Sequence, residues 1–439
     1  MDYKEAVQFH EETKAYGSIL GLDSIRALMH ELGDVWEQLK IVHIAGTNGK
    51  GSVCCFLASV LKEAGYQVAQ YNSPAVFHLR EVYQINGQWI SEEEYAAAMT
   101  EVAAACERMT GKGHTHPTVF EVETALAFFW FYQKKCDIVL LETGMGGSTD
   151  ATNLITKPLC SVFVSISMDH MDFLGDSLTK IAEIKSGIIK SECPVITTQQ
   201  PVDVETVLQC KAKECHAPYY LAAQIRESHM DQGKLCYEHP LLGEVHLSMT
   251  GAYQVQNSAL AIEVLQVLRQ GQMGYPVTDE QIRTGLASAQ VSGRFECISS
   301  APRFYIDGAH NVDAANKLKQ SLIANFPNTK RIGIMGVMAD KSYCKMLDLL
   351  LPLFERVYTV KPDNPRALSA EALAQEISKR GKEALAEPDV STAVGDAWQL
   401  AEEEKDTMIV AFGSLYYLKE VKSAVNEITA YGITKSKGL

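Results

Sequence analysis

IVHIAGTNGKGS, running from Ile41 to Ser52, decides how the chain reads. IVHIA is a short run without polar–apolar alternation, the pattern of a strand buried on both faces of a parallel sheet. Gly46-Thr47-Asn48-Gly49-Lys50-Gly51-Ser52 follows, and VCCFLASVLKEAG then has the pattern of a helix. A strand, a glycine-rich turn and a helix N-terminus are the parts of a phosphate cradle. Glycines let backbone N–H groups turn toward phosphate oxygens. Lys50 can neutralise the β and γ oxygens of a triphosphate, and the Ser52 hydroxyl is placed to face Mg²⁺ or a phosphate. The alternative is a glycine-rich turn with no ligand, which leaves Lys50 and Ser52 without a packing purpose. The motif departs from the usual G-x-x-x-x-G-K-[ST], because Gly51 stands between Lys50 and Ser52. That ending weakens the case for an ordinary kinase or GTPase.

Outward from this loop, Val68–Asn72, Asp137–Glu142 and Ser161–Ile166 also read as buried strands, with helical patterns between them. The alternation predicts an α/β fold with a mostly parallel sheet covered on both faces. Residues 76–117 break the rhythm and read as an insertion over one sheet edge. Within them Ser91 and Glu94 resemble a capping box, opening a helix to about Thr110. The first rhythm ends near residues 287–296. A second begins with a strand at Arg303–Asp307 and a helix from Val312, followed by strands at Arg331–Met335, Arg356–Val360 and Met408–Ala411. The expectation is a P-loop ATPase-type domain over 1–293 and a smaller Rossmann-like α/β domain over 294–439.

The bulk numbers narrow the function classes. The 439 residues carry a formal net charge of -14, which argues against a general nucleic-acid binder or an acidic-membrane binder. Anionic substrates would need a local basic pocket or bound cations. The opening MDYKEAVQFH lacks the apolar run of a signal peptide, and no stretch reaches 18 uninterrupted apolar residues. The 11 cysteines form no CxxC pair, so reduced thiols in a cytoplasmic protein are expected.

Several side chains read as chemical candidates. Glu142 ends the apolar run CDIVLLE, where a carboxylate faces the ligand crevice of a parallel sheet. It either holds Mg²⁺, directly or through water, or caps the next turn. Ser73 lies just past the strand VAQYN, at the same edge. His170 follows the strand SVFVSI and is either a ligand or a hydrogen-bonded structural histidine. On a helical wheel of SLTKIAEIKSGIIK, Lys185 falls inside the arc of Ile181, Ile184, Ile188 and Ile189, while Lys180 and Lys190 fall outside. A lysine there either snorkels past the isoleucines or is paired or chemically altered. Gln254 and Asn257 are three residues apart on one helix, so both can point at one ligand. Arg294, in SGRFE, reaches a γ-phosphate on domain closure or makes an interdomain salt bridge. In DGAHN, Asp307 is suited to bonding ribose hydroxyls or to positioning a lysine or arginine, and Gly308 and Ala309 let the backbone approach a ligand.

GTNGKGS resembles the nucleotide loop of the Mur ligase superfamily. YGSILGLDSIRALMHELG, YNSPAVFHLRE, LLETGMGGSTDATN, SISMDHMDFLG, IAEIKSGIIK, GAYQVQNSALAI, SGRFE, DGAHN and AFGSLYYL are together similar to one branch, the folylpolyglutamate synthase/dihydrofolate synthase family, in the family's order. Only 45 residues precede Gly46, too few for the leading domain of muramyl-peptide ligases. The resemblance implies an ATP-dependent amide ligase that adds L-glutamate to folates through an acyl phosphate, with or without ligation of dihydropteroate. It implies ATP contacts from the 46–52 loop, Asn257, Arg294 and Asp307, with His310 and Asn311 near the nucleotide or the incoming glutamate. It implies magnesium at two sites, held by Ser52, Ser73, Glu142 and His170, and a carbamylated Lys185. Lys50, Lys185, His170 and Arg294 become the expected catalytic residues, in a monomer. Two readings stay open beside it: an amide ligase acting on another carboxylate, and a non-catalytic nucleotide-binding regulator. The chain departs from the family at Ser148 and Thr149, where arginine and leucine are common, and at AVFHL after Pro74. Arg80 either compensates for the lost positive charge or is a solvated loop residue.

Overall fold

The computed structural model describes residues 1–17, 21–169, 171–270, 274–404 and 406–436. The chain divides into two compact units. One comprises Met1–Glu227, Tyr237–His246 and Gln256–Ala289, and the other Ser228–Cys236, Leu247–Val255 and Gln290–Leu439.

The first unit is built on an eight-stranded sheet. Its strands are β1 (Ile41–Ala45), β2 (Val68–Tyr71), β3 (Tyr83–Ile85), β4 (Gln88–Trp89), β5 (Ile138–Glu142), β6 (Cys160–Phe163), β7 (Val195–Thr197) and β8 (Tyr219–Leu221), in the spatial order β4-β3-β2-β5-β1-β6-β7-β8. From β2 to β8 all pairings are parallel, and every residue of β1, β5 and β6 is buried. This is why these strands read as continuous apolar runs. The residues after β2 add β3 and β4 antiparallel at one edge, so the predicted insertion extends the sheet. The helix Glu92–Gly111 follows. Ser91 caps it through Glu94 N, but the Glu94 carboxylate pairs with Lys134 instead of closing the box.

The helix Val119–Gln133 (VFEVETALAFFWFYQ) is apolar nearly all round. It sits in a core with Ala6, Ile25, Leu28 and Met29 from the first two helices and Tyr95, Met99 and Val102 from the Glu92–Gly111 helix. Phe128 and Phe131 are fully buried there, and truncating either to alanine would cost about 3–5 kcal/mol. This run spans only the core, and no helix among the described residues is long and apolar enough to cross a membrane.

Next along the chain come β9 (His229–Asp231), β10 (Lys234–His239) and β11 (Gly243–Leu247), which form a three-stranded sheet in the order β11-β10-β9. The second unit carries a six-stranded sheet of β12 (Glu296–Ser300), β13 (Arg303–Asp307), β14 (Lys330–Met335), β15 (Arg356–Thr359), β16 (Glu383–Ala386) and β17 (Thr407–Phe412), ordered β12-β13-β17-β14-β15-β16. All pairs are parallel except β12–β13. Strands β3, β4, β7 to β12 and β16 have no counterpart in the sequence reading. β16 reads EALA, as good a helix former as a strand, and its β register comes from pairing with β15. β8 and β12 are likewise short edge strands.

Candidate active site

The site in the first unit forms where β1 ends. Its two neighbours are β5 and β6, with Ile44 opposite Glu142 and Ala45 opposite Phe163. Strand carboxyl ends in such a sheet open onto the ligand crevice. Gly49 has φ +111 and serves as N-cap of the helix Lys50–Glu63. A Cβ there would lie 2.6 Å from the Asn257 carboxamide oxygen, so Asn257 closes directly over the loop. The segment just past β6 clamps the other side. Thr47 N donates to Ser165 O at 2.8 Å, Ser165 Oγ donates to Asn48 O at 3.0 Å, and Thr47 Oγ1 donates to Ser167 O at 3.0 Å. The cradle is therefore fixed on both flanks. The Lys50 amine folds back to the carbonyls of Gly46 (3.4 Å) and Thr47 (3.5 Å) and stands 3.6 Å from Glu142 Oε1. Ser52 is buried in the first turn of the helix.

Asn72 Nδ2 donates to the other Glu142 oxygen at 2.8 Å. Ser73, the next residue, has a buried hydroxyl oxygen with no hydrogen-bond partner. An orphaned hydroxyl next in sequence to the amide that holds a carboxylate suits a hard, oxygen-seeking cation, which would complete its shell with water and phosphate oxygens. His170 lies outside the described residues. Among those described, no three His, Cys, Asp or Glu side chains cluster as a metal site.

Lys185 does not snorkel. It is buried, and its amine donates to Gly46 O, at the root of the phosphate loop, at 2.9 Å. Burial, helped by the positive Lys50 and against the pull of Asp150 and Asp169, brings the amine from 10.5 down to about 7. A substantial neutral fraction at neutral pH makes it nucleophilic.

The loop between β5 and the Ala151–Leu154 turn supports this lysine. Gly147 lies so close that a Cβ would come within 2.8 Å of Lys185 Cα, and Ser148 N donates to Ile184 O at 2.8 Å. Ser148 thus packs on the lysine helix, where Gly187 leaves room for it: a Cβ at 187 would meet Ser148 at 2.5 Å. Arg80 is neither a free cation nor a solvated loop residue. Its Nη1 donates to Ile90 O (2.8 Å), Nη2 pairs with Glu92 (3.2 Å), and the guanidinium lies 5.5 Å from the Tyr3 ring centre.

In the second unit Asp307 ends β13 with its carboxylate occupied. It accepts from Tyr253 Oη (3.0 Å), Phe295 N (2.9 Å) and Ala309 N (2.8 Å). Burial raises its carboxyl above the ordinary range, with Arg294 opposing. Arg294 is half-buried, with Nη1 3.3 Å from the position a Gly308 Cβ would take. His310 Nδ1 bonds Gly308 O at 2.8 Å, and Asn311 Oδ1 accepts from Ala314 N to cap the helix Val312–Asn325. Gln254 is fully buried at the start of the helix Gln254–Arg269.

The loop 46–52, Asn257, Glu142 and Lys185 thus share one neighbourhood, and Arg294, Asp307, His310 and Asn311 share another. Sequence reasoning missed Asn72, Asp150, His43 and Tyr253. Asn72 and Asp150 stand inside motifs quoted for other residues. His43 sits in a strand whose apolar pattern hid it.

Comparison with known proteins bears on the whole chain. Residues 44–265 match the Mur ligase middle domain and residues 293–415 the Mur ligase glutamate ligase domain. A Bacillus subtilis dihydrofolate synthase/folylpolyglutamate synthase is 32% identical over 438 residues, covering 96% of this chain and 98% of that protein. A Lacticaseibacillus casei folylpolyglutamate synthase is 33% identical, covering 97% and 99%. Among solved structures, Mycobacterium tuberculosis folylpolyglutamate synthase complexed with ADP and AMPPCP superposes with a TM-score of 0.88 at 28% identity, covering 97% and 99%. Escherichia coli FolC in complex with DHPP and ADP gives 0.83 at 28% identity, covering 97% and 98%.

Proposed function

The chain belongs to the folylpolyglutamate synthase/dihydrofolate synthase family of Mur ligases, and from that premise we propose that it is an ATP-dependent ligase joining L-glutamate to folates, with or without dihydropteroate as a further acceptor. The observation that carries the reading is the end of β1, where the phosphate loop, the Lys50–Glu142 pair and the buried Lys185 amine meet.

A carboxylate does not condense with an amine at neutral pH, because its oxygen is a poor leaving group. The folate carboxylate therefore attacks the γ-phosphorus of ATP in line. An oxygen–phosphorus bond forms, the bond to ADP breaks, and an acyl phosphate results. The glutamate α-amine attacks the acyl carbon, loses a proton, and inorganic phosphate departs. Lys50 leaves its resting contacts with Gly46 O, Thr47 O and Glu142 to neutralise charge that spreads over the γ-phosphoryl oxygens. The backbone N–H groups of the 46–52 loop hold the phosphates, and Asn257 shields them. Ser52, Ser73, Glu142 and His170 are the residues that would hold magnesium. When bound, the metal supplies Lewis-acid stabilisation of phosphate charge. Arg294, Asp307, His310 and Asn311 are the residues of the second unit that we assign to the nucleotide and the incoming glutamate, with Arg294 supplying a further positive charge. The two domains are assigned to residues 1–293 and 294–439, in a cytoplasmic monomer.

We further assign Lys185 as a carbamate. Its neutral amine adds to carbon dioxide and releases one proton, giving an anion where a buried ammonium is costly. Its amine, brought down to about 7, supports this.

The test offers ATP and labelled glutamate with dihydropteroate, tetrahydrofolate or its diglutamate separately. Glutamylated product with at least one acceptor is expected. Product with none removes the folate reading and leaves a ligase for another carboxylate.

A further inference from the structure

His43 has no part in the chemistry above, yet it is a fully buried polar ring in the middle of β1. It stands between Leu141 on β5 and Ser161 on β6. Burial, with a further push from Lys190, lowers its imidazole to about 3, so the ring is neutral. Its Nε2 lies 2.9 Å from Thr152 Oγ1, and Nδ1 is buried with no partner. The proton assignment follows by elimination. Thr152 Oγ1 donates to Asp150 Oδ1 at 2.5 Å, which uses the hydroxyl's one hydrogen. Thr152 therefore accepts from His43, and His43 is the Nε2–H tautomer.

Asp150 is the hub that this chain reaches. Besides the Thr152 hydroxyl, it accepts from Thr152 N at 3.0 Å and from Met145 N at 2.7 Å, so it draws both ends of the 145–152 turn together. Asn153 Nδ2 adds bonds at 3.2 Å to Ser148 O and to Gly187 O, just past the lysine helix. The same turn presses Gly147 on the Lys185 backbone and bonds Ser148 N to Ile184 O. Lys185 in turn reaches back to Gly46, three residues past His43. The buried circuit thus leaves β1, passes through the turn, and returns to the end of β1.

We propose that His43, with Thr152 as relay, is a positioning residue: through Asp150 it fixes the 144–153 turn against the lysine helix and so sets where the Lys185 amine stands. The proposal rests on the ligase reading for the role of Lys185, but the circuit itself does not. A neutral donor suits the task, because it holds Thr152 without adding a second charge to the buried circuit.

The test uses the full chain with His43→Leu, Thr152→Val, their combination, and two conservative variants, His43→Gln and Thr152→Ser. Hydrogen–deuterium exchange of the 143–153 segment is read on the unliganded protein, and kcat and KM in the ligation assay. Each disruptive variant is expected to speed exchange at Met145 and Thr152 and to lower kcat, both about tenfold, the scale of one lost bond in a charge-assisted chain. The KM for ATP stays within about twofold, since the 46–52 loop keeps its clamps to Ser165 and Ser167. The double variant should be no worse than the worse single one, because both break one circuit. His43→Gln, whose amide can donate from a similar reach, and Thr152→Ser should recover most of both readouts. Unchanged exchange in His43→Leu overturns the proposal, as does faster exchange with parental kcat, which would make His43 a structural pin only. Additive losses, or His43→Gln no better than His43→Leu, also overturn it. A parent that forms no product counts against the ligase reading alone, and the exchange comparison then decides the circuit.

Discussion

Replacing Lys185 with methionine should make the protein more stable and less active, and the stability gain should depend on pH in a set direction. Methionine keeps an unbranched chain of similar length and removes the charge. The parent amine falls from 10.5 to about 7 on folding. Between those values the folded state binds fewer protons than the unfolded one, so parental stability rises with pH across this window. Below pH 7 the amine is charged in both states, and folding carries the whole penalty of burying it. At about 1.36 kcal/mol per pH unit the penalty is about 5 kcal/mol. Methionine also forfeits the bond to Gly46 O, about 1.5–3 kcal/mol for a charged donor. A net gain of about 3 kcal/mol is therefore expected at pH 6 in buffers free of carbon dioxide. It should shrink through pH 8 and vanish near pH 10. Urea unfolding followed by tryptophan fluorescence measures this, since Trp36, Trp89 and Trp130 all lie in the unit that holds Lys185. Added bicarbonate should stabilise the parent and not the variant, because a carbamate forms on the folded amine alone. A variant no more stable than the parent at pH 6, or a gain that stays constant with pH, would refute the reasoning.

Three further outcomes are expected. Ser73→Ala removes an oxygen that has no partner in the unliganded protein, so the metal-free protein should gain about 1 kcal/mol, while magnesium affinity measured by calorimetry falls; a loss of metal-free stability would show that the hydroxyl is satisfied within the chain. Gly49→Ala places a Cβ 2.6 Å from Asn257 at φ +111 and should cost about 1–3 kcal/mol in thermal unfolding and abolish detectable ATP binding. Lys50→Ala should lower product formation by at least about 100-fold, whereas a rate equal to the parent's would remove Lys50 from phosphoryl transfer.

The parts of the fold that were legible in sequence are those whose local pattern and tertiary role agree. β1 and β5 are buried on both faces, so their apolar runs are direct images of their environment. Edge strands are set by a neighbour more than by their own residues: β16 reads as readily as a helix, and β15 makes it a strand. The same division holds in the site. Gly49, Lys50 and Glu142 announce themselves by position at strand and helix ends. The wheel placed Lys185 on a buried face, but only the folded chain brings its amine to the Gly46 carbonyl. Asn72 and Tyr253 stand in motifs quoted for other residues, and their own roles stayed hidden because each matters through a residue dozens of positions away, Glu142 or Asp307.

The helix Val119–Gln133 has almost no side that tolerates water, and the two leading helices help to wrap it. Translation runs from the amino end, so these wrappings leave the ribosome about a hundred residues before the greasy rod they shelter. A circular permutant that moved the first forty residues to the carboxyl end would reverse this order of birth. Its nascent chain would carry this oily segment without those two wrappings through most of synthesis, inviting aggregation.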